Sequence, residues 1–551
     1  MSDSALALDF GTSTTFVALP GIDPTVLPIG AESGNLWMPS VAASADGLNW
    51  EIGENADMGS VLNQFRSLKT AITQEMSTIT NPAGIKYSAD ELIIKFLREV
   101  KNRFKQIEGF SEFSEIRMTC PAMWNGSQRA RLSRLVLESG LSTDLDSVID
   151  EPIAASISWW WARTKQDMKI DSKKRAVIFD FGGGTLDVAV VDLFPGVGMS
   201  PELTILAARG INLAGDSLDR NLAMYITERL EREKNYSVKK ENRNVVEAAI
   251  LLAARRVKEE LSTSNEVMFW VDEKIADIPS ISISRVELND VFSEQMKQCM
   301  SCVEATLLEA RLKSSDSYNG SMVAKQDIYE IASQIDFVVL AGGMSQIPKV
   351  SEDLQRLMAK ASLEFATLES SSSTTAIVLG VANENEAIKI NIHRPNFNLV
   401  GVYQTQDGKD VKEILYPAFE PLYSPAQILR GDFDLGYFKE WLPKEEPKKG
   451  TVYLCAESLG GRQIPLKDSA TGNSVEDRFS ANCYQPLNLK LYADGRIHIS
   501  DRKGKEKLMR IRDWPYVRWN SPLHSRQAAI KIESYDASYS SDKSQDWWRL
   551  K

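Results

Sequence analysis

Two short segments carry residue types suited to holding phosphate: Leu8-Asp9-Phe10-Gly11-Thr12-Ser13-Thr14 and Phe179-Asp180-Phe181-Gly182-Gly183-Gly184-Thr185. Each has an aspartate near the end of an apolar run, then glycine, then hydroxyl side chains. Glycines let backbone N–H groups converge on one point, and Thr or Ser hydroxyls add donors. The flanking runs, Ala5 to Leu8 with Phe16 to Leu19 and Val177 to Phe179 with Val188 to Val191, predict strand, tight turn and strand in both places. That context separates them from Walker and dinucleotide loops, whose glycines open a helix. A single turn of this kind reads equally well as an ordinary hairpin. Two of them can grip one triphosphate from opposite sides.

The surrounding pattern predicts what positions these turns. Residues 90–108 set Leu92, Ile93, Phe96, Leu97, Val100 and Phe104 on one helical stripe. Ile116 to Cys120 reads as a strand, residues 127–140 as a helix closed by Gly140, and Val148-Ile149 as a short buried strand. Asp150-Glu151-Pro152 opens a further helix, where the missing proline N–H costs little. Leu213 to Asp219, containing Gly215 and Asp216, leads into a helix through Leu230, and a charged helix covers Val245 to Leu261. Residues 311–326 read as a polar surface insertion. Phe337 to Leu340 is a buried strand entering a Gly342-Gly343-Met344 turn, which can seat a flat base or a ribose. Residues 370–375 read as a loop, and 376–387 as a final helix. Beyond about residue 390 the runs PNFNLVGVY, TVYLCAE, NLKLYADGRIHISD and AAIKIES predict a smaller β-rich unit with no motif that specifies chemistry.

Composition narrows the chemistry. At 551 residues the chain exceeds one compact core, and about 150 residues per domain predicts three or four units. No run approaches the roughly 18 apolar residues of a membrane span, and the first twenty residues lack a basic leader region, so a cytoplasmic protein is expected. Only three histidines occur (His393, His498, His524), all beyond residue 390, so catalysis in the front portion must rest on Asp, Glu, Lys and Thr. The cysteines number five, and Cys299 and Cys302 form a CxxC within a helical run with no second ligand pair, which reads as helix packing rather than a zinc site. Residues 1–390 hold 39 Lys+Arg against 54 Asp+Glu, and the remainder 25 against 21. An acidic front argues against nucleic acid there. The basic stretch 502–512, followed by Trp514, Tyr516 and Trp519, reads first as a solvated face, with a base- or lipid-stacking surface as the alternative.

Taken in order, Asp9-Phe10-Gly11-Thr12, Asp150-Glu151-Pro152, Asp180 to Asp187, Leu213 to Asp219 and Leu340 to Pro348 resemble the actin-like ATPase superfamily. Pro121-Ala122 with Arg129, Glu151-Pro152-Ile153-Ala154-Ala155 and Leu261-Ser262-Thr263-Ser264 are similar to the nucleotide-binding domain of the heat-shock protein 70 family, over about residues 4–388. The resemblance implies an α/β fold: a two-lobed ATPase domain of duplicated α/β units at 1–390, followed by a β-rich domain at 391–551. It implies ATP or ADP with Mg2+ in the cleft, Asp9 and Asp180 holding the hydrated ion, and Gly11, Thr12, Ser13, Thr14, Gly182, Gly183, Gly184 and Thr185 on the phosphates. It further implies Lys69 as catalytic lysine, Glu151 and Asp187 orienting the attacking water, and Gly215, Asp216, Lys258, Ser262, Gly342, Gly343 and Met344 around the nucleoside.

Three positions depart from the family. Glu259 and Gln346 stand where relatives place base-stacking arginines, and Ser147 stands where relatives engage J-domain co-chaperones, which puts such stimulation in doubt. The implied activity is slow, partner-regulated ATP hydrolysis by a chaperone-like protein acting on a protein client. The alternatives are a nucleotide-sensing scaffold dedicated to one partner complex and, less favoured by the motifs, a small-molecule kinase of the same fold.

Overall fold

A computed structural model describes residues 5–32, 34–107, 115–141, 148–165, 172–194, 202–273, 275–313, 326–366, 374–383, 388–391, 397–420, 422, 437–458, 463–464, 466–468, 478–480, 482–491, 496–511 and 518–519. Most of the polar insertion, most of the 370–375 loop, Ser147, the PGVGMSP segment and the AAIKIES run lie outside these residues.

Both predicted hairpins form. Ala5–Phe10 runs antiparallel to Thr14–Leu19, and Lys174–Phe181 antiparallel to Leu186–Phe194. Each hairpin then recruits later strands in the same way. Ala5–Phe10 pairs in parallel with Glu115–Cys120, which pairs in parallel with Val148–Asp150. Lys174–Phe181 pairs in parallel with Phe337–Ala341, which pairs in parallel with Ser362–Phe365. The repeated order, two parallel crossovers feeding the first arm of a hairpin, is the duplication implied by the paired motifs. It makes an α/β architecture of two lobes.

Apolar stripes explain the helices on each sheet. Leu92, Ile93, Phe96, Leu97, Val100 and Phe104 of helix Ala89–Gln106 are all buried in the first lobe, and Ser88 caps that helix by accepting from the Glu91 N–H. Helix Gly126–Ser139 starts with a capping box from Asn125 and Gln128 and ends at Gly140 in the left-handed region. Between the lobes, helix Glu151–Lys165 crosses helix Ala376–Ala382, and Gly380 there lies against the Ala154 carbonyl, where any β-carbon would clash. The final helix is shorter than its sequence predicts. It stops at Ala382 because the Gly21 N–H takes the Ala382 carbonyl and Asn383 forms a β-bridge with Gly21 of the first lobe.

The segment after that helix is drawn onto the second lobe. Ile388–Asn391 pairs in parallel with Glu202–Ile211, and Arg518–Trp519 returns to pair with it from the outside. The β-rich unit between them comprises two five-stranded sheets, one centred on Phe397–Gln404 and Thr451–Ser458, the other on Leu487–Leu491 and Arg496–Ser500. Alternate residues Leu487, Leu489 and Leu491 are buried while Asn488 and Lys490 are not, the period expected of a strand with one covered face. Gly401 leaves room for the Trp441 indole, which lies where a side chain at 401 would stand. Much of the basic run forms strand Glu506–Ile511 of the second sheet, between Arg496–Ser500 and Leu466–Asp468.

Candidate functional site

The two turns end on aspartates at equivalent places. Asp9 is buried at the end of its strand, where its Oδ1 accepts from Thr119 Oγ1 at 3.1 Å. Asp180 stands directly opposite Asp187 across the second hairpin. Like charges at a cross-strand pair repel, so this register is one that folding alone does not favour. The turn between them closes through the Gly182 N–H on the Thr185 carbonyl at 3.1 Å. A β-carbon added to Gly183 would stand 2.5 Å from Ser13 Oγ, and one added to Gly184 would stand 2.5 Å from Thr12 Oγ1. The hydroxyls of the first turn therefore face the bare backbone of the second.

Lys69 and Glu151 meet between the turns. Lys69 lies in helix Leu68–Thr73 and Glu151 in the first turn of its helix; both are buried, and the lysine Nζ donates to Glu151 Oε1. Asp187 Oδ1 accepts from the Met123 N–H at 3.4 Å, while its Oδ2 is buried without a hydrogen-bond partner. Burial pushes the Asp9 carboxyl up to about 7, with Lys69 opposing and Glu151 adding to the rise. Burial, then repulsion from Glu151, pushes Asp187 up to about 7. Asp180 is raised well above the carboxylate range by burial and by Glu151, Asp187 and Asp9. Lys69 is held above its ordinary value: burial lowers it, but Glu151 and Asp9 outweigh that effect.

Four buried carboxylates served by one lysine form a site short of positive charge. Its orphaned Asp187 oxygen and its three raised carboxyls fit a cation in the cleft. Among the described residues no group of three or more His, Cys, Asp or Glu side chains forms a direct metal cage. Carboxylates in such small numbers suit magnesium, which usually keeps several waters and takes only one or two protein carboxylates.

The nucleoside-side candidates adjoin the second turn. The Gly215 and Asp216 N–H groups donate to the Gly182 and Gly183 carbonyls at 3.2 and 2.7 Å. Lys258 pairs with Asp219 Oδ1 at 2.7 Å, and Arg255 holds Asp216 and Asp219 at 2.9 Å each. Gly342 adopts φ +77 beneath the Phe181 carbonyl, a place no β-carbon could occupy, and Gly343 borders open space. Met344 is buried, and Ser262 Oγ donates back to the Lys258 carbonyl at 3.4 Å. Burial raises the Glu259 carboxyl, with Lys258 and Arg255 opposing.

Three participants escaped the sequence reading. Ser67, in the left-handed region just before the Lys69 helix, donates to Asp216 Oδ2 across the cleft. No local pattern announces that contact between partners so far apart in the chain. Arg255 has no motif of its own. Arg129, noted only as part of a motif, is fully buried; its Nη2 donates to Asp150 Oδ1, its Nε to the Trp124 carbonyl at 3.0 Å, and its Cζ lies 3.8 Å over the Phe419 ring. Phe419 belongs to the β-rich unit and sits at φ +64, so that unit touches the first lobe at Arg129, whose partner Asp150 precedes Glu151.

Comparison with known proteins follows the same outline. A family model described as Hsp70 protein matches residues 47–384. The chaperone protein DnaK of Thermotoga petrophila is 27% identical over 358 residues, covering 64% of this chain and 55% of the relative. That of Cenarchaeum symbiosum is 26% identical over 374 residues, covering 65% and 51%. The chain thus spans little more than half the length of these relatives. The DnaK of Thermosipho melanesiensis is 23% identical over 533 residues, 92% of this chain and 79% of the relative, so similarity continues into the β-rich unit.

Proposed function

Because the chain belongs to the Hsp70 protein family, we propose that it is a chaperone-like protein that binds ATP, hydrolyses it slowly under partner control, and uses its nucleotide state to set how its C-terminal domain holds a protein client. Residues 1–390 form the ATPase domain and residues 391–551 the output domain. The observation that carries this reading is the Lys69–Glu151 pair buried among Asp9, Asp180 and Asp187 between two facing turns.

Phosphoryl transfer demands charge neutralisation and in-line positioning more than covalent chemistry. Thr12, Ser13 and Thr14 donate hydroxyls to the β- and γ-phosphates, and Gly183 to Thr185 offer backbone N–H groups in the turn that Gly182 closes. Lys69 balances charge on the transferred group. Glu151 and Asp187 orient the attacking water. Asp9 and Asp180 would hold Mg2+, which would supply charge neutralisation at the phosphates. Gly215, Asp216, Lys258, Ser262, Gly342, Gly343 and Met344 border the nucleoside. The Arg129–Phe419 contact supports communication with the C-terminal domain, since it reaches the residue next to Glu151. No helix among the described residues is long and apolar enough to cross a membrane.

The test is ATP binding and turnover by the full chain. Absence of both sinks the proposal. Ser147, standing where relatives engage J-domain proteins, favours a second reading as a scaffold dedicated to one partner. Binding of unfolded model peptides supports the chaperone reading, and indifference to them supports the scaffold.

A further inference from the structure

Ser67 stands immediately before helix Leu68–Thr73, which carries Lys69 in its first turn. A serine in that place ordinarily turns its hydroxyl back to accept from an N–H of its own helix, as Ser88 does ahead of helix Ala89–Gln106. Ser67 does not. Its backbone lies at φ 55 and ψ 43, in the left-handed region that a residue other than glycine enters at a cost, and its hydroxyl makes no cap bond. The hydroxyl donates instead to Asp216 Oδ2 in the other lobe, 149 positions along the chain. Neither the strain nor the forgone cap therefore serves local folding. Asp216 is fixed from its own side as well: Arg255 Nη2 donates to its Oδ1 at 2.9 Å, and its N–H donates to the Gly183 carbonyl at 2.7 Å.

These bonds form one path. It runs from the Gly183 turn through Asp216 and Ser67 to the helix of Lys69, and from Lys69 to Glu151. The lobes also meet where Val61–Asn63 lies against helix Arg243–Glu260, so closure does not depend on the Ser67 bond alone. What the Ser67 bond adds is a tie between the start of the lysine's helix and the residue that bonds the glycine turn. When the lobes part, Ser67 loses Asp216, and its hydroxyl is free to take up the ordinary cap on its own helix. A side chain with two alternative partners gives the helix start two discrete arrangements, one for each state of the cleft. We propose that Ser67 is a positioning residue that couples closure of the lobes to the placement of Lys69, so that the lysine meets the transferred phosphoryl group only while Ser67 is bonded to Asp216. The assignment rests on the ATPase reading above. It adds the element that makes hydrolysis conditional on closure.

The test compares three variants of the full-length protein. Ser67→Ala and Ser67→Gly both remove the donor, and the glycine removes the backbone strain as well. Ser67→Asn keeps a donor and tolerates the left-handed backbone. Single-turnover hydrolysis of ATP is expected to fall about tenfold in the first two, the weight of one hydrogen bond to a charged group. Nucleotide affinity is expected to change by less than about threefold, because the bond acts on the reacting state and not on nucleotide held at rest. Amide hydrogen exchange of the segment 215–219 in the nucleotide-free protein is expected to quicken about fivefold in both, as the far end of the tie is released. Ser67→Asn is expected to recover most of both effects. A residue needed only for its backbone would be spared by Ser67→Gly, and its loss would disturb residues 68–73 without reaching 215–219. Hydrolysis at the parent's rate in Ser67→Ala and Ser67→Gly, or no recovery with Ser67→Asn, overturns the positioning role while the ATPase reading stands. Absence of ATP turnover in the parent defeats the ATPase reading, and the exchange pattern then still decides whether Ser67 ties the lobes together.

Discussion

The two turns descend from one pattern but contribute opposite things. The first lobe supplies groups: the hydroxyls of Thr12 and Ser13, the Lys69 ammonium and the Glu151 carboxylate. The second lobe supplies room and negative charge: Gly183 and Gly184, whose missing β-carbons leave space for those hydroxyls, and Asp180 facing Asp187. Duplication gave two similar hairpins, and complementarity across a cleft then required them to differ. A donor needs an opposing surface that will not crowd it.

Breaking this division should cost most where the single cation is lost. Lys69→Met is expected to lower the hydrolysis rate by about 1,000-fold while changing nucleotide affinity by less than about tenfold, measured by single turnover and titration. An equal loss in rate and affinity would mean the lysine holds ground-state phosphate instead. Filling the second turn comes next. Gly184→Val should weaken nucleotide binding by about 100-fold, and Gly184→Ala should be partly rescued by Thr12→Gly, since the clash is between those two residues. Lack of rescue would show that the glycine serves backbone conformation and not the facing hydroxyl.

Charge imbalance in the cleft, shared by Asp9 of the first lobe and Asp187 of the second, sharpens the comparison through pH. The folded-state carboxyls of Asp9 and Asp187 lie near 7, above the ordinary value of 3.8, so the folded protein binds more protons between these limits. Stability is then fully present below about pH 4 and falls as pH rises through 7. With divalent ions chelated, urea denaturation should show stability falling between pH 4.5 and 7.5, and Mg2+ with ADP should remove most of the slope. A flat profile without ions would mean the cluster is hydrated enough to ionise freely. The smallest effect concerns the β-rich unit: Phe419→Ala should change the hydrolysis rate by about threefold to tenfold, consistent with a cation–π contact of ~0.5–2 kcal/mol. An unchanged rate, with folding intact by calorimetry, would confine that contact to packing.

What was legible in the sequence was what is local. A Gly/Thr turn between two apolar runs fixes a hairpin within a few residues, and the pairing Asp180 with Asp187 follows from the turn length. Lys69 had no such local signature, being one lysine on a short helix, and only resemblance singled it out. Ser67 with Asp216 and Arg129 with Phe419 join residues far apart in the chain, so no window of sequence contains them. The final helix was overextended for the same reason, because its end is set by Gly21. In the β-rich unit, alternation gave strands such as Leu487–Leu491, while the pairing into two sheets depended on contacts like Gly401 with Trp441.

The crossing of helices Glu151–Lys165 and Ala376–Ala382 has a mechanical consequence. With Gly380 seated on the Ala154 carbonyl, the two rods touch through their main chains, and no soft side chain lies between them to absorb displacement. Such a joint permits pivoting but resists sliding. Were the lobes to turn about that joint, a small angular change near the fulcrum would become a larger travel at the tips.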